Sequence, residues 1–463
     1  MNMNICAVIM AAGEGKRMKS AHAKVVHPAA GKPLVCWVHD ALTQAGAGDQ
    51  VYIVGHQQEE VRAVLGEDVA FVLQEKQLGT GHAVMQASHF LEGRRGCTLV
   101  LCGDAPLITA ATLQAVLRQF QDSDPAAIVI TADALDPTGY GRIIRDAGGA
   151  VQAIIEHRDA TDEQRRISEI NASMYCFNTA LLLSALGKIG CRNQQQEYYL
   201  TDTIGILISE GHRVDAYKTS FEEILGVNDR VQLQSASQIL NHRILNQHML
   251  NGVTISDPAT TWIEDSVTIG QDTLILPGCH LAGQTRIGSE AVIGPDTHLR
   301  DVQVGDRATL DHVTAEACII EEGAQVGPYA HIRDGSLIGP FCRIGNFVEI
   351  KNSAIGATSV IAHQCHIGDA DIGEDVNLGS GCSIANYDGR IQARTTIGSH
   401  AFIGSNCSLV APVSVADNAY VAAGSAITEP VPEYSLAIAR SRQINKENWV
   451  IARDRLRARR NDS

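Results

Sequence analysis

The stretch IEDSVTIGQDTLILPGCHLAGQTRIGSEAVIGPDTHL, residues 263–299, carries an aliphatic side chain at Ile263, Ile269, Ile275, Leu281, Ile287, Ile293 and Leu299, every sixth residue. A period of six matches neither the 3.6 of a helix nor the two of a lone strand. It is the signature of a parallel β-helix, in which each hexad is one short strand and one turn. The series resumes at Ile320, Val326, Ile332, Ile338, Ile344 and Ile350, and again at Ile355, Ile361 and Ile367. It continues at Ile372, Leu378 and Ile384, and closes with Ile397, Ile403, Leu409, Val415, Val421 and Ile427. Many of these residues precede Gly, as in IGQDTL, IGPDTH, IGPFCR and IGSNCS. The aliphatic side chain is expected to fill a narrow interior, and the small residue after it to permit the corner. Three hexads make one triangular coil, so Ile263–Ile427 should hold about nine coils.

Upstream the pattern differs. Residues 1–228 read as a doubly wound, Rossmann-like α/β domain, with apolar β-branched strands at Ile5–Met10, Gln50–Val54, Leu99–Cys102 and Ala127–Thr131. Helices at Pro33–Ala45, His82–Phe90 and Leu107–Phe120 alternate with them, which puts ligands at the carboxyl ends of the strands. Residues 229–251 form a connector helix through Val231, Leu233, Ile239, Leu240, Ile244, Leu245, Met249 and Leu250, ended by Gly252. Residues 252–463 are the solenoid and a basic tail, with eight Lys/Arg against three Asp/Glu in Arg440–Ser463.

A chain of 463 residues exceeds what one core usually holds. The formal net charge of −15 argues against a nucleic-acid binder, which needs basic surface. The run Ile5–Ala12 is too short to cross a membrane. Twelve cysteines without a CxxC pair fit free thiols in a reducing cytoplasm.

Chemistry-bearing motifs cluster at the strand ends. Met10-Ala11-Ala12-Gly13-Glu14-Gly15-Lys16-Arg17-Met18 follows the first strand; its small residues let backbone N–H groups approach a base and phosphates, and Arg17 adds charge. Lys24 supplies a second cation from the same loop. Gln74 and the turn Leu78-Gly79-Thr80-Gly81-His82 suit contact with the edge of a base. Cys102-Gly103-Asp104-Ala105-Pro106 puts a carboxylate at a strand tip, where a metal-bound phosphate would sit. In the solenoid the period breaks between Ile384 and Ile397, so Asn386-Tyr387-Asp388-Gly389 should bulge from the coil. One coil earlier lie His363, Cys365 and His366; no fourth ligand stands at a convincing spacing, so a histidine general base is the more natural reading than a metal cluster.

GEGKRM, the Lys24 loop, QLGTGHA, GDAP, TGYGRI, EINAS and GVNDR occur in the order found in sugar-nucleotide pyrophosphorylases. With the solenoid attached, residues of about 4–450 resemble the bacterial bifunctional N-acetylglucosamine-1-phosphate uridylyltransferases/glucosamine-1-phosphate acetyltransferases. The resemblance implies acetyl transfer from acetyl-CoA to glucosamine 1-phosphate, then uridylyl transfer from UTP to N-acetylglucosamine 1-phosphate. It implies that Met10, Ala11, Ala12, Gly13, Gln74, Gly79 and Thr80, with Cys102 and Gly103 beside them, hold the uridine nucleotide. Gly141, Glu156 and Asn171 would hold the N-acetylglucosamine, and Asp104 and Asn228 would hold Mg2+. His363 would take the proton of the attacking amine; Arg333, Lys351, His366 and Asn377 would grip the amino-sugar phosphate. Ser380, Asn386, Tyr387, Ser405, Ala423 and Arg440 would face acetyl-CoA. Left-handed β-helices of this kind resemble those of trimeric acyltransferases, which implies a homotrimer.

Four positions depart from the family. Lys16 stands for its threonine, Ala23 for its proline, His366 for its tyrosine and Gln392 for its lysine. The last two bear on the amino-sugar phosphate, and Arg390 and Arg394 are the candidates to supply the missing charge. The alternatives are a monofunctional sugar-1-phosphate nucleotidyltransferase with a regulatory solenoid, and a non-catalytic scaffold. The His363 and NYDG set opposes the first; Arg17, Lys24, Asp104 and Asn228 oppose the second.

Overall fold

The computed structural model describes residues 4–55 and 57–461; the extreme ends of the first domain and of the basic tail therefore lie outside the described residues. The chain forms two compact units that part between Ile244 and Leu245, inside the helix Arg230–Leu250.

The first unit is built on a mixed sheet. In order across it lie Val214–Lys218, Ala127–Asp133, Glu169–Asn178, Cys97–Cys102, Ile5–Met10, Asp49–Val54 and Ala70–Leu73. The central strand Ile5–Met10 pairs in parallel with Asp49–Val54 on one side and Cys97–Cys102 on the other. Glu169–Asn178 runs antiparallel between Cys97–Cys102 and Ala127–Asp133, so the sheet is not wholly parallel. A hairpin of Arg142–Arg145 and Val151–Ile155 attaches to Glu169–Asn178 through Ile170 and Arg142. Helices cover both faces: Val35, Val38 and Leu42 with Leu113, Val116 and Phe120 pack on one, and Val84, Leu182, Ala185, Ile204 and Leu207 on the other.

The helix boundaries differ from those the sequence pattern suggests. His82–Phe90 is in fact Thr80–Gln86 and Ser88–Leu91, broken at Ala87. The helix expected from Leu107 begins at Ala110, because the Thr109 hydroxyl accepts from Thr112 N–H and caps it. Arg230–Leu250 is capped by Asp229, whose carboxylate accepts from Gln232 N–H at 2.9 Å, and is followed by Gly252 at φ 96°. Ala236 and Leu240 bury themselves against Met18, Leu34, Leu107 and Val227, whereas Val231 and Leu250 are exposed, so the apolar stripe is narrower than the aliphatic pattern implies.

The second unit is a left-handed β-helix of three parallel sheets with 11, 10 and 9 strands, one strand of each sheet per coil. The periodic residues stack in register: Ile263 on Leu281, Leu281 on Leu299, Ile332 on Ile350 and Ile350 on Ile367. Where the hexad series lapses between Leu299 and Ile320, Val304, Leu310 and Ala315 take the inward positions and keep the stack continuous.

Gly294 and Gly327, at φ 105°, use the conformational freedom expected of the glycine after the aliphatic residue, but at most hexads that glycine has a different reason. Gly270, Gly305, Gly356 and Gly379 do not have positive φ. They lie against the backbone one coil away: a Cβ on Gly305 would meet Glu322 N at 2.4 Å, and one on Gly356 would meet Gly373 C at 2.4 Å. The left-handed corners are taken by other glycines, such as Gly278, Gly283 and Gly323, and by non-glycine residues such as Asp272, Glu290, Asp375 and Asn406, with φ of 54–60°. Asp, Asn and polar residues with local hydrogen bonds tolerate that conformation better than branched ones. The C-terminal segment ends in the helix Trp449–Asn461, and no helix among the described residues is long and apolar enough to cross a membrane.

The two kinds of position should respond differently to mutation. Gly356→Ala should lower the thermal midpoint, costing about 1–3 kcal/mol as overpacking does, whereas Glu290→Gly at an exposed left-handed corner should stay within about 0.5 kcal/mol of the parent. Calorimetry of both variants checks this; equal effects would refute the steric account.

Candidate functional site

In the first unit the chain leaves the central strand in one direction for Asp49–Val54 and returns on the other side as Cys97–Cys102. A crevice opens at the carboxyl ends of strands at such a switch in strand order. The cleft found there is lined by Met10–Gly13, Lys24, Gln74, Gly79, Thr80, Cys102 and Asp104. Val25, Gln77, Ala83 and Glu197 complete it; Gln77 and Ala83 open and close the QLGTGHA motif, whereas Glu197 carries no motif that would have marked it in the sequence. Gly103 is buried because its N–H donates to Met10 C=O at 2.9 Å and a Cβ there would meet that oxygen at 3.3 Å. Gln74 is buried, with its side-chain nitrogen 3.1 Å from His82 Nδ1. Gln77 donates to Ala12 C=O and closes the loop over the cleft. Gly79 takes φ 110° and presses on Tyr198, so no side chain fits there, and Thr80 Oγ1 accepts from Leu200 N–H at 3.1 Å. Arg17 sits on the short helical turn Lys16–Met18, exposed, and does not line the cleft.

Lys24, Asp104 and Asn228, far apart in sequence, converge. The Lys24 ammonium donates to Asp104 Oδ2 and, at 3.3 Å, to Asn228 Oδ1. Asp104 hangs from the tip of Cys97–Cys102, and Asn228 is brought close by Val227 N–H donating to Asp104 C=O at 2.8 Å. Two oxygen donors thus point at one cation position, which the ammonium fills. That donor set suits Mg2+, which takes one or two protein oxygens together with phosphate oxygens. The Cys102 thiol beside them is pushed up to about 12, first by burial and then by the Asp104 charge, which removes it as a nucleophile at neutral pH.

Gly141, Glu156 and Asn171 also meet. A Cβ on Gly141 would lie 3.5 Å from Asn171 Cβ and 3.6 Å from Glu156 Oε1, and Asn171 N–H donates to Gly141 C=O at 2.9 Å. Asn171 is buried, its side-chain nitrogen donating to Tyr175 at 2.7 Å. Burial raises the Glu156 carboxyl above its ordinary range, Asp159 and Asp202 add to this, and the Thr201 hydroxyl partly offsets it.

In the second unit, His363 Nδ1 stands 2.8 Å from Asn346 Oδ1, one coil below. A carboxamide oxygen can only accept, so Nδ1 carries the proton and Nε2 keeps its lone pair free. Gly345 makes the approach possible: a Cβ there would overlap Ala362 C=O. Arg333 and Lys351 follow in-register inward residues on successive coils of one sheet. Arg333 Nη1 donates to Glu349 Oε1 at 2.9 Å, and His366 Nδ1 lies 3.4 Å from Glu349 Oε2. The Arg333 hydrogen bond is the main reason the Glu349 carboxyl is held below its ordinary value, with His366 assisting against partial burial. Asn377 is on the neighbouring sheet, in register with Val360 in the His363 strand.

The inserted loop is held by its own contacts. Asp388 accepts from Arg390 and Ile391 N–H at 2.8 Å, and Tyr387 bridges to Gln392. Arg394 does not supply free charge: it is clamped on Asp371 and on Asn352 C=O, which leaves Arg390, exposed in the loop. Ser380, Ser405, Ala423 and Arg440 follow one corner up the solenoid. A Cβ on Gly379, beside Ser380, would meet Ser405 N at 2.5 Å, one on Gly404 would meet Ala423 N at 2.5 Å, and one on Gly424 would lie 3.8 Å from Arg440 Cδ. Among the described residues no group of three or more His, Cys, Asp or Glu is placed to hold a metal. Asn346, Glu349 and Asp369 join the site without having been marked by any sequence motif.

Comparison with known proteins covers both units. Residues 7–169 match the MobA-like NTP transferase domain, 266–301 the bacterial transferase hexapeptide repeats, 314–397 the GMPPB C-terminal domain and 394–429 the hexapeptide repeat of succinyl-transferase. Among curated proteins, the bifunctional protein GlmU of Acetivibrio thermocellus is 50% identical over 454 residues, 98% of each chain. The namesake from Geobacillus sp. WCH70 is 50% identical over 98% of this chain and 99% of its own, and that of Halalkalibacterium halodurans 48% over 96% and 98%. The chain belongs to the bifunctional GlmU family, enzymes of UDP-N-acetylglucosamine synthesis that join a nucleotidyltransferase to a hexapeptide acetyltransferase.

Proposed function

We propose that the two sites divide the work as follows. In the first unit the phosphate oxygen of N-acetylglucosamine 1-phosphate attacks the α-phosphorus of UTP, and pyrophosphate leaves in line. No protein nucleophile takes part; positioning and charge neutralisation carry the step. Met10–Gly13, Gln74, Gly79 and Thr80 hold the uridine, Gly141, Glu156 and Asn171 the sugar, and Lys24 the phosphates, with Arg17, on the exposed turn outside the cleft lining, meeting the phosphate charge that projects beyond it. Asp104 and Asn228 hold Mg2+, which when bound neutralises charge on the phosphates. The observation that carries this reading is the convergence of Asp104 and Asn228 oxygens on one cation position at the mouth of the cleft.

In the second unit His363 Nε2 accepts the proton as the amine of glucosamine 1-phosphate attacks the acetyl-CoA thioester; the C–N bond forms, the C–S bond breaks, and the thiolate leaves. Support comes from the Asn346 hydrogen bond, which leaves Nε2 free as a base. Arg333, Lys351, His366 and Asn377 take the sugar phosphate. Asn386, Tyr387, Ser405, Ala423 and Arg440 take acetyl-CoA, with the Ser380 N–H near the acetyl oxygen.

The family's hexapeptide solenoid implies association, and we assign a homotrimer. Exposed aromatic ladders support this, with Tyr329 stacked on Phe347 at 5.6 Å and Phe402 on Tyr420 at 5.3 Å. A cytoplasmic setting follows from the substrates and from cysteines that are all unpaired.

Three measurements check these assignments. Asp104→Asn should abolish Mg2+-dependent UTP binding by calorimetry and lower uridylyl transfer by about 10²-fold or more, with acetyl transfer unchanged. His363→Ala should lower acetyl transfer, followed by released thiol, by about 10²–10⁴-fold. If the parent shows no acetyl transfer and His366→Tyr with Gln392→Lys creates it, the second site has been lost or redirected in this chain. Light scattering should give three times the chain mass; a monomer at micromolar concentration would exclude a site completed across subunits.

A further inference from the structure

The hydrogen bonds around the base of the NYDG loop converge on one buried side chain, Asp369. Its carboxylate accepts from Asn352 Nδ2 at 2.6 Å and from Asn386 Nδ2 at 2.5 Å. Its backbone carbonyl accepts from Thr395 N–H at 3.0 Å, beyond the far end of the insertion. The loop therefore leaves and rejoins the coil on the same residue. Asp369 is 6% exposed and sits at a left-handed corner, φ 50°. Gly368 before it makes room, since a Cβ there would stand 2.7 Å from Asn386 Nδ2.

An ionised carboxylate can only accept hydrogen bonds, so whichever carboxamide atom faces it must be the nitrogen. Burial by itself would raise the Asp369 carboxyl, but the two amide donors, with the Lys351 and Arg394 charges, hold it below its ordinary value and keep it an acceptor at neutral pH. Asn386 is thereby locked with its nitrogen inward and its carbonyl oxygen turned away from Asp369. A carbonyl presented there offers an acceptor to an N–H of a co-substrate; a flipped amide would offer donors and repel it.

We propose that Asp369 is a positioning residue for acetyl transfer, setting the orientation of the Asn386 amide at the site where acetyl-CoA and the amine meet. The proposal rests on the acetyl-transfer reading of the second unit.

The test compares acetyl transfer in the parent, Asp369→Ala, Asp369→Asn and the double variant Asp369→Asn with Asn352→Asp, with uridylyl transfer and thermal midpoint as controls. Asp369→Ala removes the lock and should lower kcat/KM by about tenfold or more, the worth of one well-placed hydrogen bond. Asp369→Asn can still bond both neighbours but in either sense, and should lose part of that rate. Placing the carboxylate at position 352 draws the nitrogen of the new carboxamide toward it and leaves the oxygen of that carboxamide facing Asn386 Nδ2. The double variant should therefore recover to near parental rate, which a purely structural tether has no reason to require. Unchanged kinetics in Asp369→Ala, or no recovery in a double variant of parental midpoint and uridylyl transfer, would overturn the proposal alone. A parent without acetyl transfer, or one indifferent to His363→Ala, would overturn the acetyl-transfer reading and this inference with it.

Discussion

Along the solenoid the backbone N–H groups of one coil donate to the carbonyls of the next, as Thr268 does to Thr285 at 3.1 Å and Glu349 to Cys365 at 2.9 Å. Parallel pairing holds such strands about 4.8 Å apart, so side chains at the same register position on neighbouring coils are forced into contact. The ladder explains both the inward aliphatic stack and the glycines that lie too close to the adjacent backbone to carry a Cβ. It also makes the second site. Asn346 with His363, Glu349 with His366 and Asp369 with Asn386 are each 17 residues apart, one coil. His363, His366 and Asn386 are thus each oriented by a residue directly beneath, and there the rigidity of the scaffold becomes rigidity of the site.

The first unit reaches comparable order by a different constraint. Its functional side chains hang from the carboxyl ends of Ile5–Met10 and Cys97–Cys102 and from loops that cross them. Lys24, Asp104 and Asn228 are brought together over long sequence separations by packed strands rather than by a repeat. The ammonium of Lys24 between the two oxygens prevents an uncompensated carboxylate in a mostly buried position. When phosphates and a cation enter, that ammonium has a natural new partner in the phosphate charge, so the same side chain can serve the resting site and the loaded one.

Legibility in the sequence follows locality. The hexads are readable because one residue in six must be aliphatic to fill the interior, and all of those named lie inward except Ile269, which is half-buried. The glycine-rich loop, Asp104 and the NYDG insertion are readable because each departs from its own local pattern. Glu169–Asn178 is not, because an antiparallel strand inserted between two distant ones leaves no local signature beyond a moderately apolar run. Glu197 escapes for the same reason: it enters the cleft from a loop placed by tertiary packing. Asn346, Glu349 and Asp369 are a different kind of miss. Once the solenoid is recognised, counting one coil back from His363, His366 and Asn386 finds all three.

The same ladder ties one of the positions that depart from the family to the sugar-phosphate set. Glu349 is shared between Arg333, which accompanies Lys351 in the sugar-phosphate set, and His366, which replaces the family's tyrosine. A tyrosine hydroxyl can give such a carboxylate one hydrogen bond and no charge; a histidine can give the same bond and, when protonated, a full positive charge. The grip of Glu349 on Arg333 therefore depends on what stands at 366, because the two groups share the charge of one carboxylate through its separate oxygens. With Gln392 neutral and Arg394 committed to Asp371, the charge balance seen by an incoming phosphate is set by Arg333, Lys351, His366 and Glu349 together. A replacement at 366 is consequently felt at Arg333, two coils away, without any change in the arginine itself.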